Sequence, residues 1–143
     1  MERYMEVRFE SYSDNESFAR VTVASFLARL DPTVEEMDDI KTAVSEAVTN
    51  AILHGYAGKI GEVLIRVELS GKEVTVIVRD EGCGITDIKK AMEPFYTGMK
   101  GSERSGMGFS FMEAFMDELK VESAAGKGTT VTMKKKLGES KYE

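Results

Sequence analysis

Residues Glu46–Gly55 read Glu-Ala-Val-Thr-Asn-Ala-Ile-Leu-His-Gly, and this stretch says most about the fold. It sets a carboxylate, a carboxamide and the chain's single histidine four residues apart, at Glu46, Asn50 and His54. On an α-helix of 3.6 residues per turn, this spacing predicts a slowly drifting row along one side. The row borders an apolar stripe, where polar groups are costly unless they meet partners. A metal–phosphate group is therefore a candidate occupant.

The composition predicts one globular domain over residues 1–143, long enough to bury a core. Hydrophobic residues make up 42% and charged residues 31%, which is typical of folded proteins rather than disordered ones. A net charge of −6 argues against a nucleic-acid partner, and no apolar run reaches the roughly 20 residues of a membrane span. The only cysteine, Cys83, excludes an internal disulfide and fits a reducing cytoplasm.

Alternating apolar residues and helix signals predict the order β-α-α-β-β-α-α-β-β. The predicted elements are a strand at Met5–Ser11, a helix at Phe18–Leu30 after a start signal at Ser13–Glu16, a helix from the capping-box pair Thr33 and Glu36 to Gly55, strands at Val63–Leu69 and Val74–Asp80, helices at Asp87–Met92 and Phe109–Asp117, and strands opening at Leu119 and Thr129. This order favours an α+β fold, a two-layer sandwich with a mixed, mostly antiparallel sheet and helices on one face.

A carboxylate, Asp80, ends one predicted strand. It continues the inward-facing series Val74, Val76 and Val78, so an apolar core residue is expected at its position. It opens the segment Asp80-Glu81-Gly82-Cys83-Gly84-Ile85. Such a carboxylate can accept a hydrogen bond from an exocyclic amine, and Gly82 and Gly84 let the backbone approach a flat ring. An acidic turn after a strand is the alternative for this motif alone.

Two further glycine segments follow. Ser105-Gly106-Met107-Gly108 precedes a predicted helix, where exposed backbone amides and the positive helix end suit phosphate oxygens. A simple helix-entry loop is the alternative, and Thr97–Gly108 as a whole is typical of a mobile loop. Later, Gly128 precedes Thr129, whose hydroxyl is predicted to face inward and support the same ring; Thr130 faces the other way and is the second choice.

Together these pieces resemble the GHKL superfamily of gyrases, ATP-dependent chaperones, histidine kinases and mismatch-repair ATPases. The matching segments are Glu46-x-x-x-Asn50-Ala51-x-x-His54 for the N box, Asp80-x-Gly82-x-Gly84-Ile85 and Gly106-x-Gly108 for the two glycine boxes, and Gly128-Thr129 for the final Gly-Thr. The resemblance implies the Bergerat ATP-binding fold, with ATP and Mg²⁺ as ligands.

Three stretches also resemble the family of sporulation anti-sigma F factors, namely Asn15–Phe26 continued by Leu30–Thr33, Asp39–Thr42 leading into Val44–Asn50, and Glu103–Phe109. This resemblance implies a cytoplasmic homodimer that binds sigma F and phosphorylates a serine of an anti-anti-sigma factor with ATP. Two segments depart from that pattern: Pro94–Gly101, which is similar to a segment of histidine kinases, and the Ala124–Lys127 turn.

The resemblance assigns roles to individual residues. It implies that Asn50 would bind Mg²⁺ through its side-chain oxygen and that Glu46 would be the general base for the attacking hydroxyl. Asp80 would hold the adenine amine, with Thr129 supporting it. The expected walls and phosphate contacts are Gly82, Gly84, Gly106 and Gly108, together with Arg104 and Ser105, for which loop stabilisation is the alternative. His54 is expected to support the contacting residues from behind or to stand at the helix end, rather than to act as a catalyst.

Partner contacts are expected on the first helix. Glu16 and Arg20 stand four residues apart and form either a surface ion pair or part of a protein-binding face. Val7 and Phe9 on the first strand are candidates for closing a dimer at the sheet edge. A nucleotide-gated binding module without kinase activity is the leading alternative. A histidine kinase is disfavoured because no separate phosphoacceptor segment is present, and an ATPase clamp because no transducer domain is.

Overall fold

The computed structural model describes residues 3–85 and 108–138. Its strands are β1 (Arg3–Glu10), β2 (Glu62–Ser70), β3 (Glu73–Asp80), β4 (Glu118–Ser123) and β5 (Thr129–Lys136). Its helices are α1 (Asn15–Leu27), α2 (Val34–Asn50) and α3 (Gly108–Phe115), with a 3₁₀ turn at Ala28–Leu30 and a π-helical turn at Ala51–Gly55. The predicted helix at Asp87–Met92 lies outside the described residues.

The strands form a single sheet in the order β1-β2-β3-β5-β4, with each neighbouring pair antiparallel. Alternate residues of the strands face the helices, so β2 buries its valine and isoleucine positions and exposes or half-buries the residues between them. Side chains of α1, α2 and α3 complete the same hydrophobic core. The α+β class and the two-layer arrangement are therefore confirmed.

A capping box begins α2, as its spacing predicts. The amide of Glu36 donates to Thr33 Oγ1 at 3.0 Å, and the amide of Thr33 donates to Glu36 Oε1 at 2.9 Å. The other carboxylate oxygen of Glu36 accepts from the amide of Gly138 at 2.7 Å, which ties the chain after β5 to the start of α2. Burial acts to raise the pKa of Glu36, but these backbone amides prevail and lower it.

The helix boundaries follow from local chemistry. α1 ends in the 3₁₀ turn, and Asp31 then adopts a left-handed conformation with φ of 53°, which stops the helix before Pro32. The side of α2 that faces the sheet carries its apolar stripe, with Ile40, Val44 and Val48 fully buried.

Within residues 3–85 and 108–138, no helix combines the length and apolar character that a membrane crossing requires.

Candidate functional site

The helix that carries Glu46 and Asn50 changes form directly after Asn50. The amide of Tyr56 donates to the carbonyl of Ala51 at 3.1 Å, a bond that spans five residues and defines a π turn. The prediction of one continuous α-helical row through His54 is therefore wrong, because the wider turn shifts His54 relative to the other two. His54 is half-buried at the end of this turn, where a helix-end residue was expected.

Asp80 is the last residue of β3 and lies on the covered face of the sheet, only 6% exposed. Its Oδ1 accepts a hydrogen bond from the amide of Gly82 at 2.9 Å. Burial raises the pKa of this carboxyl, while hydrogen bonds from the amides of Gly82 and Thr129 partly oppose the rise. A buried carboxylate with acceptor capacity to spare is therefore available to a donor that enters the site.

Gly55, at the end of the π turn, lies against this carboxylate. A Cβ at residue 55 would stand 2.8 Å from both Cγ and Oδ1 of Asp80. The carbonyl of Gly55 accepts a hydrogen bond from the amide of Cys83 at 2.7 Å. The π turn and the segment after β3 are thus joined through their backbones.

The two glycines of the first glycine box allow close approach of backbone to backbone. A Cβ at Gly82 would collide with the carbonyl of Gly55, and one at Gly84 would collide with the carbonyl of Ala124. The amide of Gly126 also donates to the carbonyl of Cys83 at 2.6 Å. These glycines therefore seat the segment after β3 between the π turn and the β4–β5 turn, a packing role that their spacing did not indicate.

Gly108, which begins α3, meets the polar residues of α2. A Cβ on Gly108 would stand 2.9 Å from Asn50 Nδ2, 3.1 Å from Asn50 Oδ1 and 3.3 Å from Glu46 Oε2. The last glycine of the second glycine box therefore lies beside the N-box carboxylate and carboxamide. Arg104, Ser105 and Gly106, the other residues predicted to contact phosphate, lie outside the described residues.

A buried lysine anchors the opposite end of α3. Lys135 of β5 is 5% exposed, and its Nζ donates to the carbonyl of Phe115 at 2.9 Å. Its ammonium also lies 3.7 Å from Asp39 Oδ2 on α2. This cation caps the carboxyl end of α3, where a positive charge is favourable, and joins that helix to α2.

Thr129 pairs with Asp80 across β5 and β3, and is 8% exposed on the same covered face. Thr130 is half-buried on the other face, as the alternation predicts. The hydroxyl of Thr129 lies 2.8 Å from that of Ser123, its partner on β4. Asp80 and Thr129 therefore lie side by side at the same edge of the sheet, on its covered face.

Sequence reasoning missed three residues that shape this site: Gly55, Tyr56 and Ser123. The hydroxyl of Tyr56 accepts from the amide of Glu81 at 2.9 Å and donates to the carbonyl of Glu62, so it holds the start of β2 beside the segment after β3. For Gly55 the sequence predicts only the end of a helix. Ser123 carries no motif, and only its register opposite Thr129 could have indicated it.

The predicted partner residues lie on α1. Glu16 and Arg20 are both half-buried, and no ion pair joins these two described side chains, so the ion-pair alternative is wrong. Beside them, Phe18 and Val21 are 52% and 60% exposed. On β1, an edge strand of the described sheet, Phe9 is buried in the core and Val7 is half-buried.

Comparison with known proteins identifies the family. The model of the histidine kinase-like ATPase domain matches residues 9–135. The anti-sigma F factor of Clostridium acetobutylicum is 61% identical over 137 residues, which cover 96% of both chains. The anti-sigma F factor of Thermoanaerobacter sp. strain X514 is 59% identical over 137 residues, which again cover 96% of both chains. The chain belongs to the anti-sigma F factor family. This family member therefore carries its N box, glycine segments and Thr129 within a histidine kinase-like ATPase domain.

Solved structures agree on the fold of this anti-sigma F family member. The RsbU and RsbW domains of Rv1364c from Mycobacterium tuberculosis match with a TM-score of 0.68 and 23% identity, over 94% of this chain and 32% of that one. The blue-light-activated histidine kinase EL346 of Erythrobacter litoralis matches with a TM-score of 0.59 and 26% identity, over 79% of this chain and 34% of that one. The chain thus spans about a third of each of these longer proteins.

Proposed function

We propose that this chain is an anti-sigma factor that binds sigma F and uses ATP to phosphorylate a serine of an anti-anti-sigma factor. The observation that carries the proposal is the approach of Gly108 to Asn50 and Glu46. It joins the second glycine box to the N box, which is the arrangement that a phosphate site needs. The names of its relatives, anti-sigma F factors, supply the expected partner.

The base end of the proposed ATP site is built on Asp80. Its carboxylate is buried, and the π turn packs directly against it because Gly55 carries no side chain. An exocyclic amine donates hydrogen bonds, and a buried carboxylate acceptor is a strong partner for it. Adenine fits this chemistry, with Thr129 as the neighbouring contact.

The phosphate end is proposed to lie at Asn50. The side-chain oxygen of Asn50 is a hard donor of the kind that Mg²⁺ prefers, and it lies beside the backbone of Gly108. The ion, when bound, would neutralise phosphate charge. Arg104, Ser105 and Gly106 are the proposed further contacts of the phosphates.

Glu46 is the proposed general base. It lies one helical turn before Asn50 and is half-buried, so its carboxylate can meet a hydroxyl that enters beside the phosphates. The carboxylate accepts the proton of the substrate serine as the serine oxygen bonds to the γ-phosphorus. The bond from that phosphorus to the bridging oxygen breaks, and ADP leaves with the bonding electron pair.

The proposed docking surface is the outer side of α1. Glu16 and Arg20 offer charge there, and the exposed Phe18 and Val21 offer apolar area one helical turn apart. Protein interfaces commonly combine an arginine with aromatic and aliphatic anchors in this way. A homodimer that uses the outer edge of β1, near Val7 and Phe9, completes the proposal and is testable by sedimentation of the purified chain.

The deciding experiment incubates the purified chain with Mg²⁺, γ-labelled ATP and an anti-anti-sigma factor. We expect label on a partner serine with the native chain and none with Glu46→Gln, which should still bind ATP. The matched control is Glu35→Gln, because Glu35 is an exposed carboxylate at the start of the same helix.

Each other outcome is informative. ATP binding and sigma F capture without transfer from the native chain would favour the nucleotide-gated binding module. Loss of ATP binding in Glu46→Gln would contradict the base assignment. Absence of ATP binding by the native chain would overturn the proposal.

A further inference from the structure

Ser123 lies at the end of β4, directly across from Thr129, and its hydroxyl has three polar neighbours. The amide of Ile85 donates to Ser123 Oγ at 2.7 Å. The carbonyl of Gly128 accepts from Ser123 Oγ at 2.8 Å, and Thr129 Oγ1 lies 2.8 Å away. These contacts join the segment after β3, the β4–β5 turn and the inward hydroxyl of β5.

The number of protons in this cluster determines which hydroxyl donates in the hydrogen bond between Ser123 and Thr129. A serine hydroxyl has one proton to donate and two lone pairs that accept. The amide of Ile85 can only donate, and the carbonyl of Gly128 can only accept, so the serine proton goes to Gly128. The third contact is then a hydrogen bond only when Thr129 donates its own proton to Ser123. The opposite direction would leave two acceptor oxygens facing each other at Gly128, 2.8 Å apart.

The consequence concerns what Thr129 can offer to a ligand. With its proton engaged by Ser123, the Thr129 hydroxyl presents only lone pairs elsewhere. Its cross-strand neighbour Asp80 is also an acceptor, and both lie on the covered face of the sheet. This edge of the site therefore combines two acceptors, which attract an amino group and repel a carbonyl oxygen.

We propose that Ser123 is a positioning residue that holds Thr129 as an acceptor, and so makes the site favour 6-amino over 6-oxo purine nucleotides. The inference rests on the proposed ATP site. In Ser123→Ala the Thr129 hydroxyl is released, can rotate, and can donate to a 6-oxo group. Discrimination between 6-amino and 6-oxo purine nucleotides then depends on Asp80 alone.

The test measures affinity of the full chain for ATP and for inosine triphosphate, each with Mg²⁺, by calorimetry. We expect the preference for ATP to fall about tenfold in Ser123→Ala, the usual effect of one misdirected hydrogen bond at a buried site. Thr129→Val should lower the preference too, and Ser123→Ala should add nothing in that background. Ser123→Thr, which keeps the hydroxyl, should retain the native preference. Ser70→Ala, at an exposed serine at the end of β2, is the matched control and should also retain it.

The outcomes separate this inference from the function on which it rests. Equal weakening of both nucleotides in Ser123→Ala, or a further loss of preference in the Thr129→Val background, overturns the positioning role and leaves the ATP site standing. An unchanged preference in Ser123→Ala does the same. Failure of the native chain to bind either nucleotide overturns both.

Discussion

Gly55 and Asp80 are in direct contact, although they lie 25 positions apart in the chain with a whole β-hairpin between them. Any side chain at position 55 would collide with the Asp80 carboxylate. A Cβ on Gly55 would lie 2.8 Å from Asp80 Oδ1 and 2.9 Å from Oδ2. The contact joins the π turn that follows α2 to the end of β3. Because α2 ends at Asn50, the contact links the helix at the phosphate end of the proposed site to the base end.

Gly55→Ala should weaken ATP binding because the added methyl group displaces the Asp80 carboxylate. Overpacking of this kind also lowers the free energy of unfolding, here by about 1–3 kcal/mol. Titration with ATP and denaturant unfolding measure the two effects. Gly58→Asn is the control, because nothing lies within 4 Å of a Cβ at residue 58 and asparagine tolerates its positive φ. Native ATP affinity in Gly55→Ala would show that the contact does not shape the site.

Asp80 should make the folded state less stable as the pH rises. Burial raises the pKa of its carboxyl in the folded chain, so the folded state binds this proton more tightly than the unfolded state. The associated stability is fully present below the unfolded pKa of about 3.9 and is lost as the pH rises through the higher folded value. Free energies of unfolding measured from below the unfolded pKa to above the folded pKa test whether stability falls as the pH rises. In Asp80→Asn this fall should disappear, together with ATP binding; an unchanged pH profile would show that another group is responsible.

Lys135→Met should destabilise the chain by roughly 1–3 kcal/mol, because it leaves the Phe115 carbonyl without its donor. A shift of α3 would also move Gly108 away from Asn50, so ATP affinity should fall as well. Thermal unfolding and ATP titration provide the two measurements. Lys134→Met is the matched control, since the neighbouring side chain points to the opposite face of β5. Lost stability with unchanged ATP affinity would restrict Lys135 to a structural role.

Arg20→Ala should weaken sigma F binding about tenfold, a typical effect for an arginine at the centre of an interface. ATP affinity should stay native, because α1 contributes no residue to the site around Asp80. Val21→Ser should act in the same direction. Val34→Ser is its control, because Val34 is 80% exposed at the start of another helix. Unchanged sigma F binding in both α1 variants would remove this surface from the proposal.

Sequence patterns correctly predicted the features that depend on interactions between residues close together in the chain. The capping box of Thr33 and Glu36 forms as its spacing predicts, because both hydrogen bonds close within three residues. The inward position of Asp80 follows from strand alternation alone. The π turn was not predictable in this way, because its hydrogen-bond pattern differs from that of an α-helix by one residue and leaves no mark in apolar spacing.

The sequence by itself determined the order of the elements that the structure describes, the facing of Asp80 and Thr129, and the motif set that indicates the family, since these depend on helix and strand periods. Only the tertiary structure decided that Gly55 contacts Asp80, that Gly108 reaches Asn50, and that Ser123 orients Thr129. Such contacts join residues far apart in the chain. They depend on strand order and on how closely backbones pack, and no local period in the sequence encodes either.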